Sequence, residues 1–443
     1  MLTEIIFIPG LFLIFLFGYK LSKILLPDVE KSEQISLGYI LGIGIFTFIW
    51  FLLNWAGIPY NLESGFALLL LFNFILLVVD RLLHKITKGK SIIDLFYLKK
   101  LNTIEKFMIG VIVFLSVSAL AQNIYWPIRY WDSLVLYDFR AKVFTQTGFM
   151  QEAITRGYFF GYPLLTSLAH TWVYLLGGTN PSFLYALLYI FLLVNIFSNL
   201  KKLNIGRMMT IFLTVLVAVS PRLFDHTQWA YTNLPYSIYI VLGSIYLYFG
   251  IKKKNLRSFI VSALLIGLST WTRTTEPFWL SCVAMGIIFS IFIKKWLWPF
   301  FYVAIVGSIM LPWRIFESIY ENTNANVLNQ VVSTSQGVIQ NLQVSILKPT
   351  FNFFIINVVQ MYLVYFILLG ATLLIKLFIK SKEWFFAILI IFDLALTFAG
   401  ILMFVKYTPY WQEIPDSLSR MVMFIPVLIT FLLAELLSEI KKR

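Results

Sequence analysis

The sequence predicts an all-α polytopic membrane protein with about 13 transmembrane helices. Three observations carry that expectation. Mean hydropathy is +0.84, and only 13% of residues are charged, too few to clothe a water-facing surface. Apolar runs of about 20 residues recur, the length that crosses a roughly 30 Å hydrocarbon layer. Period-two alternation in shorter segments, the mark of a membrane barrel, is absent.

The runs place spans at 3–20, 35–55, 63–83, 105–124, 181–199, 207–222, 232–250, 257–272, 276–294, 296–314, 352–379, 384–405 and 421–439. Met1-Leu2-Thr3-Glu4 lacks a basic leader and a small-residue cleavage site, so the first run reads as a retained span. The net charge of +14 comes from basic residues clustered in short loops. That is the positive-inside pattern rather than a nucleic-acid surface. Lys85 to Lys100, Lys201 to Arg207, Lys252 to Arg257, Lys294-Lys295, Lys376 to Lys382 and Lys441 to Arg443 mark the cytoplasmic side. The N-terminus then lies outside and the C-terminus inside, as in a plasma or inner membrane. Cys282 stands alone, which excludes an intramolecular disulfide.

The chain divides into a three-span block with its basic loop (1–104), a transmembrane module with an outer loop at 125–180 (105–314), and a polar outer loop with C-terminal spans (315–443). Tyr162–Leu176 is apolar, but if it crossed, every later basic loop would change sides. It is therefore expected flat on the outer surface, or re-entrant. Residues 132–147 read as a second interfacial helix. Asp132 or Ser133 is the natural N-cap, and Leu134, Tyr137, Ala141 and Phe144 share one face at helical spacing.

The charge rule singles out basic residues on the outer side: Arg129, Arg140, Lys142, Arg156, Arg222, Arg273, Arg314, Lys348, Lys406 and Arg420. Each alone suits a snorkelling or headgroup contact. Together they suit a phosphate, which arginine meets with paired donors. Four charges fall within Trp131–Lys142: Asp132, Asp138, Arg140 and Lys142. Asp138 and Lys142 stand at the i,i+4 spacing of a helical ion pair. Asp393 lies mid-span and must face protein or water. His170 and His226 are too isolated for a zinc site, and no phosphate-binding glycine loop occurs.

Several motifs follow in order. They are Trp131-Asp132, Asp138-Phe139-Arg140-Ala141-Lys142, Tyr162-Pro163-Leu164-Leu165, Ser220-Pro221, Tyr231-Thr232-Asn233-Leu234-Pro235, Thr272-Arg273-Thr274-Thr275-Glu276-Pro277 and Ser417-Leu418-Ser419-Arg420. In this the chain resembles the GT-C superfamily of membrane glycosyltransferases, over residues 105 to 443. The similar branch holds protein O-mannosyltransferases and lipid A aminoarabinose transferases. Two departures stand out: Asn233 replaces an expected acid, with Asp225 and His226 nearby, and Arg273 and Glu276 are one residue further apart.

The resemblance implies two interfacial helices in the first outer loop. It implies inverting transfer of a sugar from a polyprenyl-phosphate donor to a hydroxyl of a glycan, lipid or protein acceptor, outside the cytoplasm. Asp132 is then the catalytic base. Arg140, Lys142, Arg273 and Arg420 contact the donor phosphate. Tyr130, Trp131, Tyr137, Asp138, Asn233, Trp271 and Glu276 line the substrate. With these cations available no metal or other cofactor is expected. The partners are the lipid-linked sugar, its acceptor and membrane lipid, not nucleic acid. Two alternatives stay open: a transporter or flippase for a lipid-linked sugar, and an outer-face polysaccharide polymerase or ligase.

Overall fold

A computed structural model describes residues 2–84, 100–155, 162–274, 276–320, 344–407 and 415–443. Every regular element among them is helical. Arg156, most of the loop 315–350 and the side chain of Lys406 lie outside the described residues. By length and composition eight helices suffice to cross a membrane, or ten if two bent pairs are each taken as one span.

The chain opens with α1 (Leu2–Leu25), α2 (Lys31–Trp55), α3 (Leu62–His84) and α4 (Thr103–Tyr125). α4 begins at a capping box. Asn102 accepts from the Glu105 amide while Glu105 accepts from the Asn102 amide, so two otherwise orphan donors are satisfied. α1 and α2 cross closely because Gly18, Gly38 and Gly42 face one another's backbones; a Cβ at any of them meets main-chain atoms.

The 125–180 region holds α5 (Phe139–Thr147), α6 (Met150–Thr155) and α7 (Leu165–Leu175), and after it come α8 (Phe183–Lys201), α9 (Arg207–Ala218), α10 (Pro221–Trp229), α11 (Asn233–Lys252), α12 (Leu256–Thr272), α13 (Trp279–Phe292) and α14 (Trp298–Tyr320). α11 is apolar on all sides and buried from Leu234 to Ile251, as a central helix should be. The C-terminal part is α15 (Val344–Phe354), α16 (Leu363–Phe378), α17 (Phe385–Tyr407), α18 (Pro415–Met421) and α19 (Ile425–Ile440).

Ion pairs define one end of this bundle. Lys23 pairs with Asp80 at 2.8 Å, Lys201 with Glu30 at 2.6 Å and Arg207 with Glu105 at 2.7 Å. Lys252 pairs with Glu383 at 3.0 Å, and Lys376 with Glu435 at 3.0 Å. Lys441 donates to the Asn204 carbonyl at 3.0 Å. The basic segments at Lys201–Arg207, Lys252, Lys376 and Lys441 therefore meet at one end. The 125–180 region belongs to the other, where Asn54 donates to the Gly148 carbonyl at 2.9 Å and Asn180 to that of Asn123 at 2.7 Å.

Four expectations are refined. The run 207–222 is not straight: α9 and α10 meet at 53°, where Pro221 cannot continue the hydrogen bonding of α9. The run 352–379 bends by 93° between the π-helical segment Ile355–Gln360 and α16. The segment 162–176 forms α7 (Leu165–Leu175), a helix packed against protein rather than a bare surface helix. Leu165 to Leu168 and His170 to Val173 are buried, with Trp172 packed on Phe46, Trp50 and Phe66.

The fourth concerns the helix from Trp131. Neither Asp132 nor Ser133 caps it. Asp132 already has helical torsions and makes no cap bond, while the Ser133 hydroxyl donates to the Trp229 carbonyl. Ser133–Asp138 is π-helical and runs into α5 (Phe139–Thr147). The wider turn shifts the register. Leu134 is exposed, and the buried face is Ser133, Tyr137, Asp138, Arg140, Ala141 and Phe144.

Candidate functional site

The π-turn brings polar side chains of the Trp131–Lys142 stretch inward. Asp132, half-buried, meets Arg420 from α18 at 3.2 Å across 288 positions of sequence. The Arg420 guanidinium also lies 5.1 Å from the ring centre of Tyr231, a cation–π distance. Tyr231 is one wall of an aromatic group. Trp229 lies 5.6 Å from it, and Tyr130 lies 5.2 Å from Trp229.

A second polar layer sits deeper. Arg273, just past α12, donates to Glu276 at 2.7 Å, to Thr232 at 2.9 Å and to Asn233 at 3.3 Å. Asn233 thus accepts from the arginine where an acid was expected. Tyr137 shares a hydrogen bond with Thr232 at 3.1 Å. Arg140 is buried; it donates to Ser167 at 3.1 Å and to the Tyr162 carbonyl at 3.0 Å, and lies 5.7 Å from the Tyr137 ring. Arg273 covers the Tyr162 ring at 4.7 Å. Asp132, Arg420, Tyr130, Tyr137, Asn233, Arg273, Glu276 and Arg140 therefore form one connected cluster, bridged by Tyr162, Tyr231 and Thr232.

Asp138 and Lys142 form a separate group. Asp138 is buried and accepts from Tyr174. Lys142 pairs with it at 2.8 Å, as the i,i+4 spacing predicts, and His170 lies 3.3 Å away. Burial opposes ionisation of Asp138, but His170, Lys142 and Tyr174 outweigh it and pull the carboxyl down to about 2. Lys142 is thereby committed to the Asp138 carboxylate rather than to the Asp132–Arg420 cluster.

Two aromatic assignments change. Trp271 is fully buried, donates to Thr47 at 3.1 Å and packs on Phe48, Phe51 and Trp313; it is core, not a substrate wall. Trp131 is 75% exposed. Trp229 and Tyr231 stand where these two were expected. The signal for them was present: they flank the Ala230 turn, next to the Tyr231–Pro235 motif. Arg222, 5.6 Å from the Trp229 ring, also joins the cluster.

Among the described residues no three His, Cys, Asp or Glu side chains converge as a metal site requires. Comparison of the chain with protein-family models, with curated proteins and with solved structures finds no match.

Proposed function

We propose that the chain is an inverting, GT-C-type glycosyltransferase that takes a sugar from a polyprenyl-phosphate donor. One observation carries the reading. A half-exposed carboxylate, Asp132, sits against an arginine and an aromatic wall at the bundle end opposite the basic loops. By the positive-inside rule that end faces away from the cytoplasm of a plasma or inner membrane. Taking each bent pair once, and adding the shorter α12, α13 and α19, about 13 crossings keep every basic loop on one side. α7 and the Trp131–Thr147 helix then stay on the outer side of the membrane.

In the reaction an acceptor hydroxyl attacks the sugar C1. Its proton passes to Asp132, the new O–C1 bond forms, and the C1–O bond to phosphate breaks. A carboxylate is a weak base, but it takes a proton that becomes acidic as the bond forms. Positioning by the aromatic wall supplies much of the rest. The departing polyprenyl phosphate gains charge. Arg420 is the cation beside Asp132, with Arg273 and Arg140 as the fixed positive layer beneath it. Arg273 is held by Glu276, Thr232 and Asn233, so its charge is preorganised rather than mobile.

The test is transfer of radiolabelled sugar from a polyprenyl-phosphate donor to acceptors by the full chain in proteoliposomes. Label leaving the carrier supports the reading. Label that stays on the carrier while the lipid changes leaflet contradicts it and favours a flippase.

A further inference from the structure

α10 carries a histidine that the mechanism above does not use. His226 is fully buried. Its Nδ1 lies 2.9 Å from the carbonyl oxygen of Arg222, one turn earlier. A carbonyl oxygen only accepts, so Nδ1 carries the proton and Nε2 keeps a lone pair. Nε2 is buried and meets no hydrogen-bond partner among the described residues. Such an acceptor is costly when unsatisfied, and native proteins rarely keep one without a use.

The surroundings indicate the use. The ring lies 4.5 Å from that of Trp229 and 6.0 Å from that of Tyr231. Those rings belong to the aromatic wall beside Asp132 and Arg420. Arg222 lies over the Trp229 ring and Arg420 over the Tyr231 ring, so the imidazole sits among rings whose other neighbours are guanidinium groups. The group is therefore a fixed, neutral acceptor among side chains that stack on apolar faces and bind anions. A ligand with hydroxyl donors, an apolar ring face and a phosphate matches all three.

We propose that His226 Nε2 accepts a hydrogen bond from a hydroxyl of the donor sugar and so selects which sugar is transferred. This rests on the glycosyl-transfer reading above. It makes His226 a specificity-determining residue rather than a base. A site built to bond one hydroxyl rejects an analogue lacking it more strongly than an apolar pocket does.

Two variants separate the ring nitrogens. His226→Asn keeps a donor near Nδ1 for the Arg222 carbonyl and removes the Nε2 acceptor. His226→Gln places an amide oxygen near the Nε2 position. Asn is expected to raise KM for the sugar-bearing lipid about tenfold to a hundredfold with kcat little changed. Gln should stay within a few-fold of wild type. Equal behaviour of two folded variants overturns the proposal.

A second readout needs no turnover. The chain has three histidines, His84, His170 and His226, so nitrogen-15 histidine spectra are assignable with the Asn variant. The probes are polyprenyl-phosphate-mannose, polyprenyl-phosphate-glucose and polyprenyl phosphate alone. The unprotonated Nε2 signal should move with the sugar lipid that is transferred and not with the sugar-free lipid. A protonated Nε2 overturns the proposal. So does a signal unmoved by a lipid that the same sample transfers, or one moved equally by polyprenyl phosphate. If wild type transfers neither of these sugars nor aminoarabinose from the same carrier, the glycosyl-transfer reading itself fails, and that control tells the two failures apart.

Discussion

Removing the Glu276 carboxylate should destabilise the protein more than removing the whole ion pair. Arg273 and Glu276 are 6% and 3% exposed, so each charge depends on the other for compensation. Glu276→Ala leaves the guanidinium with two neutral partners, the Thr232 hydroxyl at 2.9 Å and the Asn233 carbonyl at 3.3 Å. Breaking a buried pair from one side costs about 3–5 kcal/mol, because the remaining charge stays desolvated. The two neutral bonds place the expected loss near the lower limit, about 3 kcal/mol. In Arg273→Met with Glu276→Ala no charge is left to solvate, so the double variant should recover part of that loss. The assay is a double-mutant cycle of folded fraction after heating in detergent, read by size exclusion. A Glu276→Ala protein as stable as wild type refutes the buried-pair argument. So do single losses that simply add in the double variant, since groups 2.7 Å apart must couple.

Further outcomes follow from the same geometry. Trp271→Ala should cost about 3–5 kcal/mol in stability as a core truncation, measured by thermal unfolding, with donor KM unchanged in the fraction that stays folded. Trp229→Ala should do the reverse, raising donor KM with a small stability loss; identical effects of the two contradict the assignment of the aromatic wall. Because Asp138 has its carboxyl held down at about 2, its stabilising contribution is present above the unfolded-state value near 4 and is lost as pH falls toward 2. Asp138→Asn should flatten that acid limb in pH-dependent unfolding, and an unchanged limb rules the contribution out. Asp393 is buried with both carboxylate oxygens lacking hydrogen-bond partners among the described residues, so Asp393→Asn should match or exceed wild-type heat stability. A marked fall would show that the carboxylate has a partner essential to the fold.

Much of the bundle was legible because a bilayer simplifies the code. A run of about 20 apolar residues has few alternatives to a helix. The loops rich in lysine and arginine then place the helix ends, and the pairs Arg207–Glu105 and Lys201–Glu30 lie where that accounting puts them. Asp132 and Arg420 stood out as charges that insertion does not require, and they do meet. What periodicity missed has a physical cause. Trp271 sits at a span end as Trp229 does, and composition does not distinguish a tryptophan inside the core from one walling a site. Lipid and helix core are equally apolar, so the burial of α7 was invisible in its hydropathy. The π-turn was hidden for a different reason. It moves Leu134 outward and turns Asp138 and Arg140 inward, and no residue type in Ser133–Asp138 announces a wider turn.

The most direct measurement is the sugar-transfer rate of Asp132→Asn in proteoliposomes, with folding and donor affinity checked alongside. Asn keeps the size of the side chain and a partner for Arg420, and it removes the proposed base. Transfer should fall about 100-fold or more while the donor still binds, the loss expected for a positioned general base. A folded variant that transfers at the wild-type rate contradicts the account.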